Sequence, residues 1–307
     1  MLLRYILKRL GLTVIVLFFV SIFAFLLIRL APGNPARLML PDDASDELVE
    51  QMEIQLGLDR PLYEQYIKYI SGVLHGDLGM STAYKQEVSG IILARLPATG
   101  TLTLFTMLIC LAISIPLGII AGAKQGSLTD FFAMLFALIG QSMSPVWLGV
   151  VLIYVFSLKL DLLPALGSGG IAHVILPAIT LGYMVAAEIT RIGRSGMIDV
   201  LREDYITATY AKGISHRTVL CKYAFKNALI PIITLVGVQI GSFLAGAVVV
   251  ETIFSWSGIG QLLNQAVATR DYAMVQSLLL VMATFFAVIN LIVDIINSFI
   301  DPRIRFE

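Results

Sequence analysis

Six stretches of the chain are dominated by apolar residues, near 10–30, 100–122, 131–157, 172–190, 229–250 and 273–300. About 20 mainly apolar residues, wound as a helix, cross about 30 Å of hydrocarbon. Each stretch is therefore expected to be a membrane-spanning helix, because lipid offers no partner to a free backbone N–H or C=O. Alternation of polar and apolar positions is missing, which sets aside a β-barrel. The expected fold class is all-α, a polytopic membrane protein with six transmembrane helices. The first stretch follows Arg4, Lys8 and Arg9 and runs to Leu30. That is too long for the h-region of a signal peptide, and no small-x-small cleavage site follows, so it reads as a retained anchor.

Two segments between the apolar stretches carry their own helical pattern. Residues 31–98 hold "SDELVEQMEIQLGL", with Ser45 as a cap, acids in the first turn and Gly57 at the end. They also hold "LDRPLYEQYIKYISGVL", where Asp59 is expected to cap and Pro61 to sit in the first turn. Leu62, Tyr66, Tyr69, Ile70 and Val73 then share a face. Two short amphipathic helices follow from this, packed either on the protein's own spans or on an external partner. The second segment is the loop 191–228. Arg202, Glu203 and Asp204 precede a helical run, Lys212 closes it, Gly213 sits where a left-handed residue stops a helix, and Ser215 opens a second helix. Pro231 falls in the first turns of the fifth span, where it is tolerated or bends the helix. Ile206 and Tyr210, four residues apart, make a small apolar ridge on a basic element. Such a ridge fits a groove on another protein or a place on anionic lipid.

Composition and charge sharpen this picture. Of the 307 residues 58% are hydrophobic and 14% charged, and mean hydropathy is +0.87. Soluble domains carry about 25% charged residues. Net charge is zero, which points to no nucleic-acid partner. Thirteen of the 21 basic residues fall on one side of a six-span layout: Arg4, Lys8 and Arg9, Lys124, seven in the loop 191–228, and Arg303 and Arg305. The positive-inside rule then places both termini and the loop in the cytoplasm, and 31–98 outside.

Enzyme chemistry finds little to stand on. The phosphate-loop pattern G-x-x-x-x-G-K-[ST] is missing. His75, His173 and His216 are scattered without metal-ligand spacing, so metal ligands: none. Cys110 and Cys221 read as small packing residues. His173 with Ser142 or Ser144 is a faint protease constellation lacking any nucleophile setting, so catalytic residues: none. Three carboxylates near the spans are candidate gate or helix-interface residues, since a lone charge in lipid is costly. Glu188 is expected to pair at a helix end with Arg191 or Arg194. Asp294 is expected to contact a neighbouring helix or line a path. Glu251 opens "ETIFSWSGIG", expected to be re-entrant or interfacial, with Trp256 at headgroup depth. Gly118, Gly122, Gly237, Gly241 and Gly246 suit close helix packing.

In order along the chain stand "APGNPA", "LGLDRPLYEQY", "GDLGMS", "RLPAT", "SPVWLG", "LLPALGSGG", "ILPAITLG", "LREDYITATYAKG", "KNALIP", "GAVVVETIFSWSGIG", "RDY" and "DPRIR". With these the chain resembles, over nearly its whole length, the permease subunits of binding-protein-dependent ABC importers of the dipeptide, oligopeptide and nickel group. The resemblance implies the type I ABC importer permease fold with a small helical extracytoplasmic segment. It implies a cell-membrane protein, multi-pass, divided into a first helix plus extracytoplasmic part (1–94), a five-helix transmembrane domain (95–300) and a cytoplasmic tail (301–307). In that family the loop before the last two spans carries the EAA motif, a coupling helix that docks on an ATPase. By position Thr207, Ala208 and Thr209 take the E-A-A places and Gly213 is the motif glycine; only the alanine matches. Contacts are then expected from Tyr205, Tyr210, Lys212 and the turn at Gly213 rather than from a carboxylate. The implied partners are a second homologous permease subunit, two ABC ATPase subunits carrying ATP-Mg, an extracytoplasmic solute-binding protein and the lipid bilayer; this chain itself would bind no cofactor. The implied cargo is short peptides, with nickel, metal-chelate or glutathione-like cargo as the alternative. A stand-alone secondary transporter is a distant second class, because Glu188 and Asp294 are the nearest things to coupling carboxylates.

Overall fold

Every apolar stretch folds as helix, and several helices outrun the stretch that seeds them. The computed structural model describes residues 2–30, 35–38, 40 and 45–300; the tail 301–307, with Arg303 and Arg305, and part of "APGNPA" lie outside the described residues. Helix α1 is Leu2–Leu30, α2 is Pro35–Leu38, α3 is Asp46–Leu56 and α4 is Leu62–Leu74. Helix α5 runs Val88–Ala123, α6 Leu128–Ser142 and α7 Pro145–Leu152, which continues as π-helix through Ile153–Lys159. Helix α8 is Ile171–Leu201, α9 is Asp204–Ala211 and α10 is His216–Thr218, followed by a π-helical turn Val219–Ala224. Helices α11 (Phe225–Ile253), α12 (Ile259–Ala268) and α13 (Tyr272–Ile300) complete the chain. Among the described residues four helices are long and apolar enough to cross a membrane, and the number reaches six if each of two bent pairs counts as one span.

The third apolar stretch is one of those pairs, and it corrects a straight helix over 131–157. The two arms, 128–142 and 145–159, meet at 109°. Pro145 is the cause: a proline disfavours helical backbone in the residue before it. Ser144 is extended (φ −73°, ψ 135°), as is Met143. Helix α8 also runs on to Leu201, so the first eleven residues of the supposed loop 191–228 are helical.

Helices α5 and α8 form the central pair, with α6 and α11 against α8, α13 against α11, and α1 against α13. Small residues let the backbones close. A β-carbon on Gly122 would lie 2.6 Å from Met197 Cβ and 2.8 Å from the Arg194 carbonyl oxygen; one on Gly140 would lie 2.5 Å from Ala187 Cβ. Since neither backbone can yield cheaply, Gly122→Leu is expected to destabilise the purified protein by about 1–3 kcal/mol, the usual cost of overpacking. A fluorescence-monitored melt checks this, and an unchanged midpoint would show that α5 and α8 are not locked here. The outward faces of α1, including Leu7, Val14, Phe18, Phe19 and Phe23, are exposed, as suits lipid contact.

Helix α3 has the expected caps. Ser45 Oγ accepts from Leu48 N–H at 3.4 Å, and Gly57 is left-handed at φ 74°. Helix α4 does not: Pro61, not Asp59, is its N-cap, with no side-chain cap bond. The Gln65 amide instead donates back to the Leu58 and Arg60 carbonyls, at 3.1 and 2.7 Å. Helix α4 lies against α1, where the Tyr66 hydroxyl meets Ser21 Oγ at 2.8 Å and the Tyr66 ring meets Phe25 edge-on. Leu62, expected on the packed face, is 55% exposed.

Candidate functional site

The stretch 204–213 folds as two turns of helix and a stop. Asp204 stands in the first turn of α9, where the helix dipole favours an acid. Lys212 is the C-cap, and Gly213 turns left-handed at φ 75°, its N–H donating to the Tyr210 carbonyl at 2.9 Å. Nothing lies within 4 Å of where a Gly213 β-carbon would sit, so the glycine is required by backbone conformation and not by space. Ser215 begins α10 with extended backbone, but its hydroxyl pairs with Thr218 Oγ1 at 2.9 Å instead of capping the backbone.

The expected apolar ridge is not what α9 presents. Ile206 is buried, 1% exposed, in a cluster with Met197 of α8, Val219 and Ala224 of the π-turn and Ala228 of α11. Thr209 is buried beside it, its hydroxyl donating to the Tyr205 carbonyl at 2.6 Å. Ile206 and Thr209, three residues apart, therefore seat the helix, and the opposite face is left open with Tyr205, Thr207, Ala208, Tyr210 and Lys212. Both tyrosines are held. Tyr205 Oη accepts from the Asn227 amide at 2.6 Å. The Tyr210 ring stacks on His216 at 5.9 Å between centroids, with hydroxyl and Nδ1 2.7 Å apart. The exposed face is thus rigid and tied on both flanks to the chain that becomes α11.

The three candidate carboxylates lie apart from α9 and from one another in role. Glu188 does not pair with an arginine. Its Oε2 accepts from the Gln239 amide of α11 at 2.6 Å. Arg194 lies six residues on, about 240° round the helix and so away from Glu188. It forks instead onto Asp130 of α6, with Nε and Nη2 donating at 2.5 and 2.8 Å. Asp294 meets Arg9 of α1 at 2.8 Å, a contact between neighbouring helices of the kind expected. It brings the beginning of the first helix and the end of the last to one end of the bundle, the end that also holds α9.

Glu251 sits at the other end and is fully buried. Its carboxylate accepts from Thr99 Oγ1 at 2.7 Å, from Gly260 N–H at 2.8 Å and from Gln261 N–H at 2.9 Å. The two amides are unbonded donors in the first turn of α12, so Glu251 closes a hairpin from α11 into α12 by satisfying them. Thr99 Oγ1 also accepts Ile259 N–H at 2.9 Å, fixing the hairpin to α5. Trp256 is packed inside the protein and does not face outward. It is 3% exposed, packed with Leu102, Val174 and Ala178, and its indole N–H donates to the Ala98 carbonyl at 2.9 Å. Reading the sequence did not pick out Thr99, Asp130 or Asp271. Asp271 is buried at the start of α13, bonded to the Ser81 hydroxyl, to Ala83 N–H at 3.2 Å and to Met274 N–H at 3.1 Å. The signal for the two aspartates was their place in a helix's opening turn; their partners lie 64 to 190 residues away. Among the described residues no group of three or more His, Cys, Asp or Glu could hold a metal ion.

Residues 114–306 match the family described as binding-protein-dependent transport system inner membrane component, and residues 2–103 match the N-terminal part of such components. The chain is 40% identical over 305 residues to the glutathione transport system permease protein GsiC of Escherichia coli strain K12, covering 99% of this chain and all of that one. It is 40% identical over 332 residues to the dipeptide transport system permease protein DppB of Alkalihalophilus pseudofirmus, with the same coverage. Among solved structures, an inward-facing form of the MetNI methionine ABC transporter aligns with a TM-score of 0.56 at 14% identity, over 69% of this chain and 96% of that one. At that identity the likeness bears on the fold alone.

Proposed function

The chain belongs to the family of binding-protein-dependent transport system inner membrane components, and from that membership we propose that α9 is where an ATP-hydrolysing subunit drives it. The chain is a multi-pass permease subunit of an ABC importer. The observation that carries the coupling reading is the two-sidedness of α9. Ile206 and Thr209 anchor one face to α8 and α11, and Tyr205, Thr207, Ala208, Tyr210 and Lys212 offer the other to a partner. A displacement of the open face is delivered directly to two long helices. Asp130 and Arg194 join α6 to the same end.

The remainder of the reading follows from this. The α9 end, with both termini, faces the cytoplasm, in agreement with its basic residues. Two ATPase subunits carry ATP-Mg, a second homologous permease supplies the other half of the path, and a solute-binding protein delivers cargo to the α12 end. Residues 1–94 form the anchor with its extracytoplasmic helices, and 95–300 the five-helix domain. The cargo is short peptides, the class that includes the dipeptides and the tripeptide glutathione for which the relatives are named. Glu251 positions the hairpin at the delivery end.

Gly213 tests the coupling role. Gly213→Val is expected to reduce ATP-driven peptide uptake in reconstituted vesicles roughly tenfold or more while the chain still inserts, because a β-branched residue resists left-handed backbone. Gly213→Asn, which tolerates that conformation, is expected to keep most uptake. Equal uptake by both variants and the native chain would overturn a coupling role. Peptide uptake by this chain alone, without any ATPase, would overturn the importer-subunit reading as a whole.

A further inference from the structure

A cleft of about 310 Å³ opens between α4, the turn Asp77–Gly79 and the first turns of α13. Most polar groups on its walls are occupied. Glu64 is engaged by Arg60 at 3.9 Å and by the Tyr63 hydroxyl at 3.3 Å. Asp77 Oδ1 accepts Gly79 N–H at 2.9 Å, and Ser277 Oγ donates to the Leu78 carbonyl at 3.1 Å. Among the nitrogen donors of the cleft two are left over. Gln276 is 8% exposed and its Nε2 is buried without a hydrogen-bond partner. Lys68 forms no ion pair or hydrogen bond among the described residues. A buried amide nitrogen with nothing to donate to is costly, and native structures nearly always give such a group a partner.

We propose that this cleft binds a carboxylate, with Lys68 supplying the opposite charge and Gln276 a short-range donor. Both unused groups give protons and the acids of the cleft are already bonded, so the ligand must bring acceptor oxygens and negative charge. The volume stands at the small end of the range for ligand sites, about 300–1,000 Å³. It suits the carboxyl end of a short peptide or one acidic side chain of a docking protein, and not a folded surface. That either source reaches the cleft in the cell rests on the reading of the α12 end as extracytoplasmic; binding itself does not.

The test is calorimetric titration of the full chain in lipid nanodiscs with N-acetyl-alanyl-alanine and with its C-terminal amide. The acid is expected to bind roughly tenfold or more tightly than the amide, as loss of one charge-assisted hydrogen bond implies. Lys68→Met and Gln276→Leu are each expected to weaken the acid and leave the amide unchanged, whereas Lys226→Met, at the α9 end, leaves both unchanged. A parallel arm measures association of the solute-binding protein with the assembled importer. Weakening of that association by Lys68→Met, with no competition from the acetylated peptide, assigns the carboxylate to the protein. Equal binding of acid and amide, or no dependence on Lys68 in either arm, overturns the proposal. Because these readouts are affinities, ATP-driven uptake by the native chain stays intact as a separate test of the importer reading.

Discussion

Gly258→Ala is expected to unfasten the hairpin between α11 and α12 and to lower the thermal midpoint of the purified protein by about 6–12 °C, for a loss near 3 kcal/mol. The new β-carbon would lie 2.1 Å from Glu251 Oε1 and 2.3 Å from its Cδ. One of the two must move. The carboxylate is held by Thr99 and by the amides of Gly260 and Gln261, and each bond broken to a buried charged group costs about 1.5–3 kcal/mol. Gly260 offers no room either, its own β-position being 2.6 Å from Val248 Cα. Glu251→Gln in the native background is expected to show a smaller loss, since the amide oxygen can take the place of Oε2 against both α12 amides and the amide NH2 group then faces the Thr99 hydroxyl, whose bond must reverse. The chain has two tryptophans, Trp147 and Trp256. In a Trp147→Phe background, Trp256 emission reports the hairpin alone. A melt in which Gly258→Ala leaves that emission and midpoint unchanged would mean that Glu251 does not fix the hairpin.

The second large effect is expected at Arg194. Here α5, α6 and α8 converge: Arg194 forks onto Asp130 of α6, and its backbone lies against Gly118 and Gly122 of α5. Asp130 is 7% exposed at its side chain and also accepts Gly126 N–H at 2.9 Å. Arg194→Ala leaves this carboxylate buried without its cation, a loss of about 3 kcal/mol. Replacing both partners with leucine is expected to cost less than the single change, because no charge is then stranded. Chemical denaturation of the single and double variants separates the outcomes. Additive losses would show that the two residues do not act as a pair. Met197, three residues on, belongs to the cluster that seats Ile206, so Arg194→Ala is also expected to reduce ATP-driven uptake more than inserted protein.

Helices were legible in the sequence wherever lipid length or a cap dictated them. The apolar runs, the caps of α3 at Ser45 and Gly57, and the stop of α9 at Gly213 are local rules obeyed locally. What escaped was direction. Helix α9 is two turns long, and its pattern alone cannot say which face is seated, because the seat comes from Met197, Val219 and Ala228 on other elements. Trp256 followed tertiary packing and not the habit of interfacial tryptophans. Glu188 and Arg194 share a helix but not a face. The break before Pro145 was written in "SPVW" and was outweighed by the unbroken apolar run around it. The carboxylates of the site were visible as residues, but their partners were set by how long helices cross.

That break constrains how the chain is made. Helix α6, 15 residues and about 22 Å long, ends short of a bilayer's hydrocarbon width. Its last turn therefore stops with the Met143 carbonyl beyond the reach of its own helix, and the group that accepts the duty is the hydroxyl of Tyr183, in α8. Tyr183 is synthesised about forty residues later. Until it emerges, the bent arm 128–159 has no finished place among its neighbours. Translation order therefore places α5, which packs on α6, before the bent arm, and the partner of the Met143 carbonyl after it.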